Sequence, residues 1–359
     1  MKEAFLIVTR NPYPINGGDK KRVWTLINFL KKKNYKIDIF VISYEDKIKK
    51  NLFDKKIKII NFKINKINIF KSLFIFLFKK KPLQAAIYYD KKILEKISSF
   101  VSKKKYEIGF FHLLRSCEYV DAIKVSKNKF LDICDSHIIN YERSNNLDFI
   151  FFPIKIFFNF EKKLLINYYK KVIKKFNKIF YISKFDLIYD QKLFKIKNKF
   201  KYLNLNSSHI KKKNLFAINS NNILIMGNFK SYANLNLVYE AKKLKKKMEK
   251  FRKILLYGEV DFKLKILLFI LNDKNISYIG KYENLKKNKK KFFLALSIQK
   301  ISSGFQNKIL DYKKLSLPIL VSSNVMVGMP NYLKNYCYLY NSKMNYKKTI
   351  KKISNINSN

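Results

Sequence analysis

Cysteine, glycine, proline and acidic residues are all scarce in this chain of 359 residues. The three cysteines, Cys117, Cys134 and Cys337, have no CxxC spacing and no paired histidines. This argues against a disulfide framework or a structural zinc site and is typical of a reducing cytoplasm. No apolar run reaches the roughly 18 residues that a membrane-spanning helix needs. The N-terminus, MKEAFLIVTRNPYP, lacks the regions of a signal peptide and predicts a strand followed by a turn.

The scarcity of acidic residues makes the chain strongly basic. Against 77 lysines and arginines there are 25 acidic residues, which leaves a net charge of +52. Nucleic-acid readers use arginine forks and stacking aromatics, yet only five of these basic residues are arginine. The lysines form short runs that indicate solvated helix faces, and the abundant Lys, Asn, Ile, Phe and Tyr have A/T-rich codons. We therefore expect no specific nucleic-acid partner; an anionic membrane surface is a further interpretation.

Two segments are the most apolar of the chain. They are INIFKSLFIFLF at residues 67–78 and FIFFPIKIFFNF at residues 149–160. Each fits a buried core helix, and each also fits an interfacial helix that lies among lipid head groups. The sequence leaves both interpretations open.

Apolar runs alternate with amphipathic, lysine-faced segments along the first part of the chain. This rhythm predicts a parallel sheet covered by helices on both faces. The predicted strands are residues 4–9, 36–43, 57–62, 107–111, 129–133, 178–183 and 199–205, and the predicted helices are residues 19–33, 67–78 and 88–102.

A second series of the same kind starts at residue 222. Its predicted strands are residues 222–226, 253–257, 276–279, 292–297 and 318–322, and its predicted helices are residues 235–250 and 306–315. The fold class is therefore α/β, with two doubly wound, Rossmann-like parallel-sheet domains facing a cleft. We predict an N-terminal domain over residues 1–206, a linker over 207–221, a C-terminal domain over 222–330 and a polar, lysine-rich tail over 331–359.

Most of the eight glycines lie where predicted strands end. Ligands of open parallel sheets bind outside the carboxyl ends of the strands, where glycine permits a positive φ or close backbone approach. Ordinary turns explain each glycine singly, but the shared placement favours a binding cleft. The glycines at such positions are Gly17, Gly18, Gly227, Gly258, Gly280 and Gly304.

Two segments of the first domain contain candidate site residues. In NPYPINGGDKKR, residues 11–22, Asp19 is a candidate cap for the first helix. In FFHLLR, residues 110–115, His112 ends a buried strand and Arg115 follows three residues later. A histidine there orients or deprotonates a hydroxyl, or is a hydrogen-bonded structural residue.

A third segment, KFLDICDSHIINYER at residues 129–143, places four polar side chains after a strand: Asp132, Asp135, Ser136 and His137. A metal site is one interpretation, although the spacing supplies no further ligand set. Helix capping by Asp135 or Ser136 is the other, and we prefer it.

The segment ISSGFQNKILDYKKLSLPILVSS, residues 301–323, joins a glycine-containing loop to an amphipathic helix and a buried strand. The loop offers backbone N–H groups at a helix N-terminus, which attracts anions. Asp311 lies about two turns further on, where a carboxylate can accept hydrogen bonds from sugar hydroxyls. A phosphate cradle beside a hydroxyl acceptor suits a nucleotide-sugar.

Taken in order, these segments resemble the GT-B nucleotide-sugar glycosyltransferases, specifically the large retaining family 4. PYPINGGDKKRVWTLINFLKKKNYKIDIFVIS resembles the family's opening, and FFHLLRSCEY resembles the strand that supplies its active-site histidine. FLDICDSHIINYERS, EKKLLINYYKKV and FYISKFD resemble the middle of a sugar-transferase subgroup. MGNFKSYANLN is similar to that subgroup's G-N-M-x-Y-x-P-N, and SSGFQNKILDYKKLSLPIL to its G-A-G-I-Q-N-K-x-L-E-A-M-A-x-G-x-P-V-V. The likeness covers residues 1–325.

The resemblance implies a donor site in the C-terminal domain, an acceptor site mainly in the N-terminal domain, and no need for a cofactor or metal ion. It implies that His112 is the catalytic histidine and that Asp311 holds the ribose hydroxyls. The implied donor-binding residues are Gly227, Asn228, Lys230, Gly258, Gly304, Phe305, Gln306, Asn307, Lys308 and Asp311. The acceptor and phosphate-loop residues expected from the segments are Gly17, Gly18, Asp19, Arg22, Arg115 and Asp135.

The sequence departs from the family pattern at the donor site. Ser303 stands where a glutamate is common, and the ribose glutamate is shortened to Asp311. Asn228 and Asn234 replace the basic residues that neutralise the diphosphate, and Lys230 or Lys281 is a candidate replacement. These departures put full activity in doubt more than they do the fold.

The resemblance thus implies a retaining, hexosyl-type glycosyltransferase for lipopolysaccharide or another cell-surface polysaccharide. Its partners are expected to be a nucleotide-sugar and a glycan or lipid-linked acceptor. The alternatives are a degenerate GT-B protein that binds without turnover and a basic protein that binds polyanions or membranes. The expected location is the cytoplasm, with the inner face of the plasma membrane as an alternative.

Overall fold

The chain divides into two compact units in the computed structural model. The first comprises Met1–Ile138 and Ile156–Ser207, and the second comprises Ile139–Lys155 and Ser208–Asn359. The structure describes residues 2–13, 15, 17–44, 55–65, 67–121, 123, 128–203, 213–246, 253–287 and 290–340. Each unit is built on one parallel sheet, as the sequence predicts.

The first unit contains seven described strands. They are β1 Lys2–Val8, β2 Tyr35–Ser43, β3 Ile57–Lys63, β4 Ile108–His112, β5 Asn128–Cys134, β6 Lys178–Tyr181 and β7 Phe200–Tyr202. The helices of this part of the chain are α1 Gly18–Lys32, α2 Ile67–Phe78, α3 Leu83–Ile87, α4 Lys91–Ser102, α5 His137–Arg143, α6 Phe152–Val172 and α7 Lys184–Phe194.

The strand order of the first sheet is β3-β2-β1-β4-β5-β6-β7, and each neighbouring pair is parallel. The order turns back between β1 and β4, which makes their carboxyl ends a topological switch point. Near-continuous apolar strands suit a sheet that is covered on both faces. On one face, Val23, Leu26, Ile27 and Leu30 of α1 pack into the core formed with β1 and β2.

The second unit contains six described strands in the order β10-β9-β8-β11-β12-β13, all parallel. The strands are β8 Asn222–Asn228, β9 Lys253–Glu259, β10 Ile276–Gly280, β11 Leu294–Ser297, β12 Ile319–Val321 and β13 Cys337–Leu339. The helices are α8 Tyr232–Lys246, α9 Phe262–Leu271, α10 Tyr282–Lys287, α11 Lys308–Lys314, α12 Ser323–Val327 and α13 Asn331–Lys334. The switch point of this sheet lies between β8 and β11.

The ends of the predicted domains can be compared with these elements. Within the predicted tail, α13 and β13 belong to the second unit, and β13 pairs with β12; residues 341–359 lie outside the described residues. Within the predicted linker, the N–H of Leu215 donates to the carbonyl of Leu315, and Phe216 bridges to Phe292. Residues 139–155, predicted in the N-terminal domain, group with the second unit.

Six of the described helices lie outside the helices predicted from the sequence: α3, α7, α9, α10, α12 and α13. The apolar side chains of α9, FKLKILLFIL, surround the helix and leave Phe262 and Phe269 exposed, so its sequence has no clear period of 3.6. Among the described residues, no helix combines the length and apolarity needed to cross a membrane.

Candidate functional site

A small pocket lies at the switch point of the first sheet, where β1 and β4 end. His112 is the last residue of β4 and is buried, with 2% of its surface exposed. Ligands of open parallel sheets bind at such points, so the pocket is a candidate binding site. It is lined by Val8, Thr9, Arg10, Pro12, Asp19, Lys20, Val23, His112 and Leu113.

His112 is held from behind by a buried carboxylate. Asp132 is its direct neighbour in the register of β4 and β5, and Nδ1 of His112 lies 2.9 Å from Oδ2 of Asp132. On the other side, Nη2 of Arg22 donates to Oδ1 of Asp132 at 2.6 Å. Burial alone would raise the pKa of Asp132, but the charge of Arg22 and the hydrogen bonds from Arg22 and His112 lower it below its ordinary value.

This pairing decides which nitrogen of His112 carries the proton. An ionised Asp132 only accepts hydrogen bonds, so Nδ1 of His112 must donate. In a neutral imidazole, Nε2 then has a free lone pair. Nε2 is buried and has no hydrogen-bond partner among the described residues, so it is available to accept a hydrogen bond from a hydroxyl in the pocket.

Asp19 belongs to the same pocket, but it does not cap α1 as predicted. The helix begins one residue earlier, at Gly18, and its N-cap is Gly17, which has φ 94° and makes no side-chain cap bond. Asp19 instead receives a hydrogen bond from Nη1 of Arg10 at 2.7 Å. Burial tends to raise the pKa of Asp19, but Arg10, His112, Arg115 and the N–H of Lys20 together outweigh it and the net direction is down.

Arg115 lies beside Tyr88 rather than in the lining of the pocket. Its guanidinium stacks 5.0 Å from the centre of the Tyr88 ring, and Nη1 donates to the Tyr88 hydroxyl at 3.2 Å. Burial and the nearby charge of Arg10 lower the pKa of Arg115. This arginine is part of an electrostatic group that includes Asp19.

Asp135 faces a different environment, a group of buried carboxyls. Burial and the neighbouring Asp186 raise its pKa well above the ordinary value. The backbone N–H of Ser136 donates to Asp186 at 2.8 Å, and the Ser136 hydroxyl donates to Asp190 at 2.8 Å. Burial also lowers the pKa of His137 to about 4. The segment thus anchors the start of α5, and Asp135 is not one of the residues that line the pocket.

Among the described residues, one group is of metal-ligand type, His112, Asp132 and Cys134, whose donor atoms lie within 4.8 Å of one another. The guanidinium of Arg22 already neutralises Asp132. Burial raises the pKa of the Cys134 thiol well above its ordinary value, and metals bind the thiolate rather than the thiol. The group therefore fits a metal ion poorly, and the absence of a metal requirement stays a prediction.

The second sheet has its own switch point, and Tyr312 of α11 ties the helix to it. The Tyr312 hydroxyl accepts from the N–H of Met226 at 2.8 Å and donates to the carbonyl of Leu296 at 3.1 Å. These groups belong to β8 and β11, so α11 is fixed at the carboxyl ends of the two central strands. The sequence analysis did not single out this tyrosine.

A hydrogen-bonded chain joins α11 to the end of β8. Nζ of Lys308 donates to Oδ1 of Asn234 at 2.6 Å, and Nδ2 of Asn234 donates to the carbonyl of Asn228 at 2.9 Å. Burial lowers the pKa of Lys308 to about 7, although the residue keeps part of its surface exposed. The predicted donor residues Asn228 and Lys308 are thus brought together, with Asn234 between them. The N–H of Lys230 donates to Oδ1 of Asn228 at 3.1 Å, while its ammonium is half exposed and lies 3.7 Å from Glu259.

Two glycines of this edge are required by the backbone. Gly258 has φ 150°, and a Cβ there would lie 1.8 Å from the carbonyl oxygen of Gly227 on the adjacent strand. Gly304 has φ 63°, and its carbonyl lies 2.0 Å from where a Cβ of Gly328 would be. Gly258 and Gly328 thus let backbone segments approach too closely for a side chain, and Gly304 adopts a positive φ that favours glycine.

The loop before α11 is braced by its own side chains. Nε2 of Gln306 donates to Oγ of Ser302 and to the carbonyl of Ser303, both at 3.1 Å. Phe305 is buried, and Asn307 is the N-cap of α11 without a side-chain cap bond. Asp311 is 8% exposed, and its charge contributes to raising the pKa of Tyr282, after the larger effect of burial.

Residues 139–155 contribute side chains to this loop that the sequence analysis missed. Nδ2 of Asn140 donates to Oγ of Ser303 at 2.5 Å, and Nη1 of Arg143 donates to the carbonyls of Ser302 and, at 3.2 Å, of Asn324. The three-residue spacing of Asn140 and Arg143 places both on one face of α5. That spacing is visible in the sequence, but nothing in it reveals which unit the face contacts.

Comparison with known proteins gives structural matches only. No protein-family model and no curated protein matches the sequence. Sucrose-phosphate synthase from Thermosynechococcus elongatus matches with a TM-score of 0.66 and 12% identity, over 100% of this chain and 90% of that one. The lipopolysaccharide outer core galactosyltransferase WaaB matches with a TM-score of 0.58 and 12% identity, over 98% of this chain and 88% of that one.

A third match is an S. aureus TarM variant in complex with fondaparinux, alpha-GlcNAc-glycerol and UDP. Its TM-score is 0.62 and its identity 13%, over 100% of this chain and 93% of that one. Together with the two parallel sheets, these matches decide the architecture. The chain has the GT-B fold. The fold prediction is therefore confirmed, while the roles of the individual GT-B site residues stay predictions because low identity supports the fold alone.

Proposed function

We propose that the protein is a retaining, hexosyl-type glycosyltransferase that moves a sugar from a nucleotide-sugar to a saccharide or lipid-linked acceptor in cell-surface polysaccharide synthesis. The observation that carries the proposal is the group at the second switch point, where Lys308, Asn234 and Asn228 form a connected chain beside Gly304 and Asp311. Two structural neighbours support the chemistry, since one is a lipopolysaccharide galactosyltransferase and another was solved with UDP.

On the donor side, Lys308 supplies positive charge for a diphosphate. The family pattern has basic residues at the positions of Asn228 and Asn234. In this chain the ammonium of Lys308 supplies the positive charge instead. As the bond between the anomeric carbon and the phosphate oxygen breaks, the diphosphate keeps the electron pair, and the ammonium together with nearby amides stabilises the added charge. Asp311 accepts hydrogen bonds from the ribose hydroxyls.

On the acceptor side, His112 orients a hydroxyl in the pocket of the first unit. The Asp132 carboxylate fixes the proton on Nδ1, so Nε2 accepts the hydroxyl hydrogen bond. Arg22 keeps Asp132 ionised and thus acts through it. This positioning supplies orientation without a metal ion.

The test is a thermal-shift series with UDP, GDP and ADP, followed by donor hydrolysis and transfer. At least one nucleotide diphosphate is expected to raise Tm, and Asp311→Ala is expected to remove most of that rise while Lys253→Ala, on the amino end of β9, keeps it. If no nucleotide stabilises the chain and Asp311→Ala changes nothing, the donor site has been misassigned.

Binding without turnover is the second candidate, and Ser303 favours it. Its hydroxyl is occupied by Asn140 at 2.5 Å, and a serine supplies no carboxylate where the family pattern has a glutamate. A radiolabelled nucleotide-sugar separates the two candidates. Tight binding with no hydrolysis or transfer on any acceptor supports the second candidate, and measurable transfer supports the first.

A further inference from the structure

The helix α2 presents an apolar face that no described part of the chain covers. Phe70 and Phe78 are 76% and 69% exposed, and Phe74 and Leu77 are each 58% exposed. At 100° per residue these side chains and Leu73 lie on one side of the helix. The interpretation of α2 as a core helix is therefore wrong, and an exposed apolar face of this kind marks an interaction surface.

The opposite side of α2 fixes the helix to the first unit. Ser72 and Phe76 are buried, and the ring of Phe76 packs 6.0 Å from Phe157 and 5.5 Å from Phe160 of α6, measured between ring centres. Because these contacts occupy only one side, the apolar face stays directed away from the core.

The charged residues next to the face in the sequence are of one sign, and the nearest acidic side chain described, Asp90, accepts from Asn68 of α2 at 2.5 Å. Lys71 within α2 and Lys79 and Lys80 after its end are exposed, and residues 55–89 contain no aspartate or glutamate. The helix α9 of the second unit also exposes large apolar side chains, but Asp261 and Asp273 flank it. Of these two described helices, α2 is thus the one whose exposed rings have lysines and no acidic residue beside them in the sequence.

We propose that α2 lies in the interface of a bilayer containing anionic lipids, with its phenylalanines and leucines at the level of the upper acyl chains. The bordering lysines then contact lipid phosphates. Charge favours this occupant over a second copy, since each copy carries a net charge of +52 and the same lysines would face one another across the contact.

Vesicle flotation of the full chain tests the proposal. The wild type is expected to float with vesicles of phosphatidylcholine and phosphatidylglycerol and less with phosphatidylcholine alone, and added salt should weaken binding by screening the lysines. Phe70→Ser with Phe74→Ser is expected to lower the partition coefficient by about tenfold or more, because two rings leave the lipid.

The matched control is Phe262→Ser with Phe269→Ser in α9, which removes two rings of comparable exposure, 67% and 85%. It is expected to float like the wild type, and circular dichroism checks that both variants fold. The proposal is overturned if the wild type does not float, if the α2 variant floats equally well, or if both variants lose binding alike. A wild-type dimer that only the α2 variant loses would identify a second copy as the occupant and also overturn it.

A spectroscopic readout tests the insertion itself. The chain has a single tryptophan, Trp24, so Phe74→Trp adds one reporter on the exposed face of α2. Vesicles with brominated acyl chains are expected to quench the added emission, and the absence of quenching on vesicle-bound protein would contradict insertion. Neither readout needs turnover, so both are independent of the proposed transferase activity.

Discussion

Nδ1 of His112 lies 2.9 Å from the Asp132 carboxylate, its direct neighbour across β4 and β5. The register of two parallel strands therefore sets the orientation of the imidazole, and the lowered pKa of Asp132 sets its tautomer. Arg22 completes the arrangement from α1, with Nη1 also donating to the carbonyl of Leu203 at 2.8 Å. His112 on β4 is thus held through Asp132 on β5 and Arg22 on α1, so its imidazole loses little orientational freedom when a substrate binds.

Asp132→Asn is expected to lower the free energy of unfolding by about 3 kcal/mol, because the buried guanidinium of Arg22 loses its counter-charge. Urea unfolding at neutral pH measures the change. Arg22→Met combined with Asp132→Asn removes both charges and is expected to recover most of the loss. If Asp132→Asn alone is as stable as the wild type, Arg22 and Asp132 do not form a buried ion pair.

His112→Ala is expected to reduce kcat for sugar transfer by about 100-fold, since the hydroxyl loses its acceptor in the pocket. The rise in Tm caused by a nucleotide diphosphate should be unchanged, because the donor residues lie in the second unit. His137→Asn is the matched control and should keep its turnover. Equal losses in both histidine variants would argue against a specific role for His112.

Lys308 is expected to make nucleotide binding depend on pH. Burial lowers its pKa to about 7, and a bound diphosphate favours the charged ammonium, so the pKa rises in the complex. The affinity for UDP should be highest below pH of about 7 and fall as the pH rises, because binding then requires proton uptake. Because binding takes up one proton at Lys308, the affinity for UDP falls by at most about tenfold per pH unit. Calorimetry in buffers of different ionisation enthalpy measures affinity and proton uptake together.

The control for this pH dependence has to separate Lys308 from the titration of the nucleotide itself. Lys308→Met should bind UDP more weakly at low pH and show only the dependence that belongs to UDP. Lys253→Met, on an exposed residue at the amino end of β9, should keep the full dependence. Identical pH profiles for the wild type and Lys308→Met would exclude the lysine as the titrating group.

Glu161 is expected to make the fold less stable as the pH rises. It is 1% exposed, and burial raises its pKa from 4.5 to about 7 although its Oε1 accepts from the N–H of Leu83 at 2.8 Å. A carboxyl with a raised folded-state pKa stabilises the fold while protonated. Its contribution is complete below the unfolded-state pKa and is lost as the pH rises through about 7, with a size of about 3 kcal/mol.

Glu161→Gln removes this titration and keeps an oxygen for Leu83, so its stability should change less with pH. Urea midpoints at several pH values on either side of neutrality measure the slopes. Glu95→Gln, at an exposed position of α4, should retain the wild-type slope. An unchanged slope in Glu161→Gln would assign the pH dependence to other groups.

Much of the architecture follows from local sequence. Near-continuous apolar runs such as residues 36–43 and 222–226 match β2 and β8, because strands buried on both faces need apolar side chains at every position. The glycines after these strands marked the carboxyl edges, where Gly258 proves to be required by the backbone of β8. The apolar run before His112 likewise predicted that this histidine lies at the end of a strand.

Partners in space were harder to predict. Asp132 suggested a metal ligand in the sequence, whereas the strand register makes it the partner of His112 and Arg22. Asp148 lies in a stretch predicted in the N-terminal domain, yet it accepts from Lys243 at 2.5 Å and Lys300 at 2.8 Å in the second unit. The two lysines lie 95 and 152 residues from Asp148 in the sequence, and composition and spacing carry no information on such pairs.

The sequence by itself determined that this is an α/β chain with two parallel sheets and ligand-binding edges, because strand and helix periods are local properties of the side chains. The tertiary structure decided which side chains meet at those edges and which apolar helix remains uncovered. Nine of the twelve residues of α2 are apolar whether or not anything packs on them. Only the folded arrangement, in which α6 covers the side with Phe76, leaves Phe70 and Phe74 exposed.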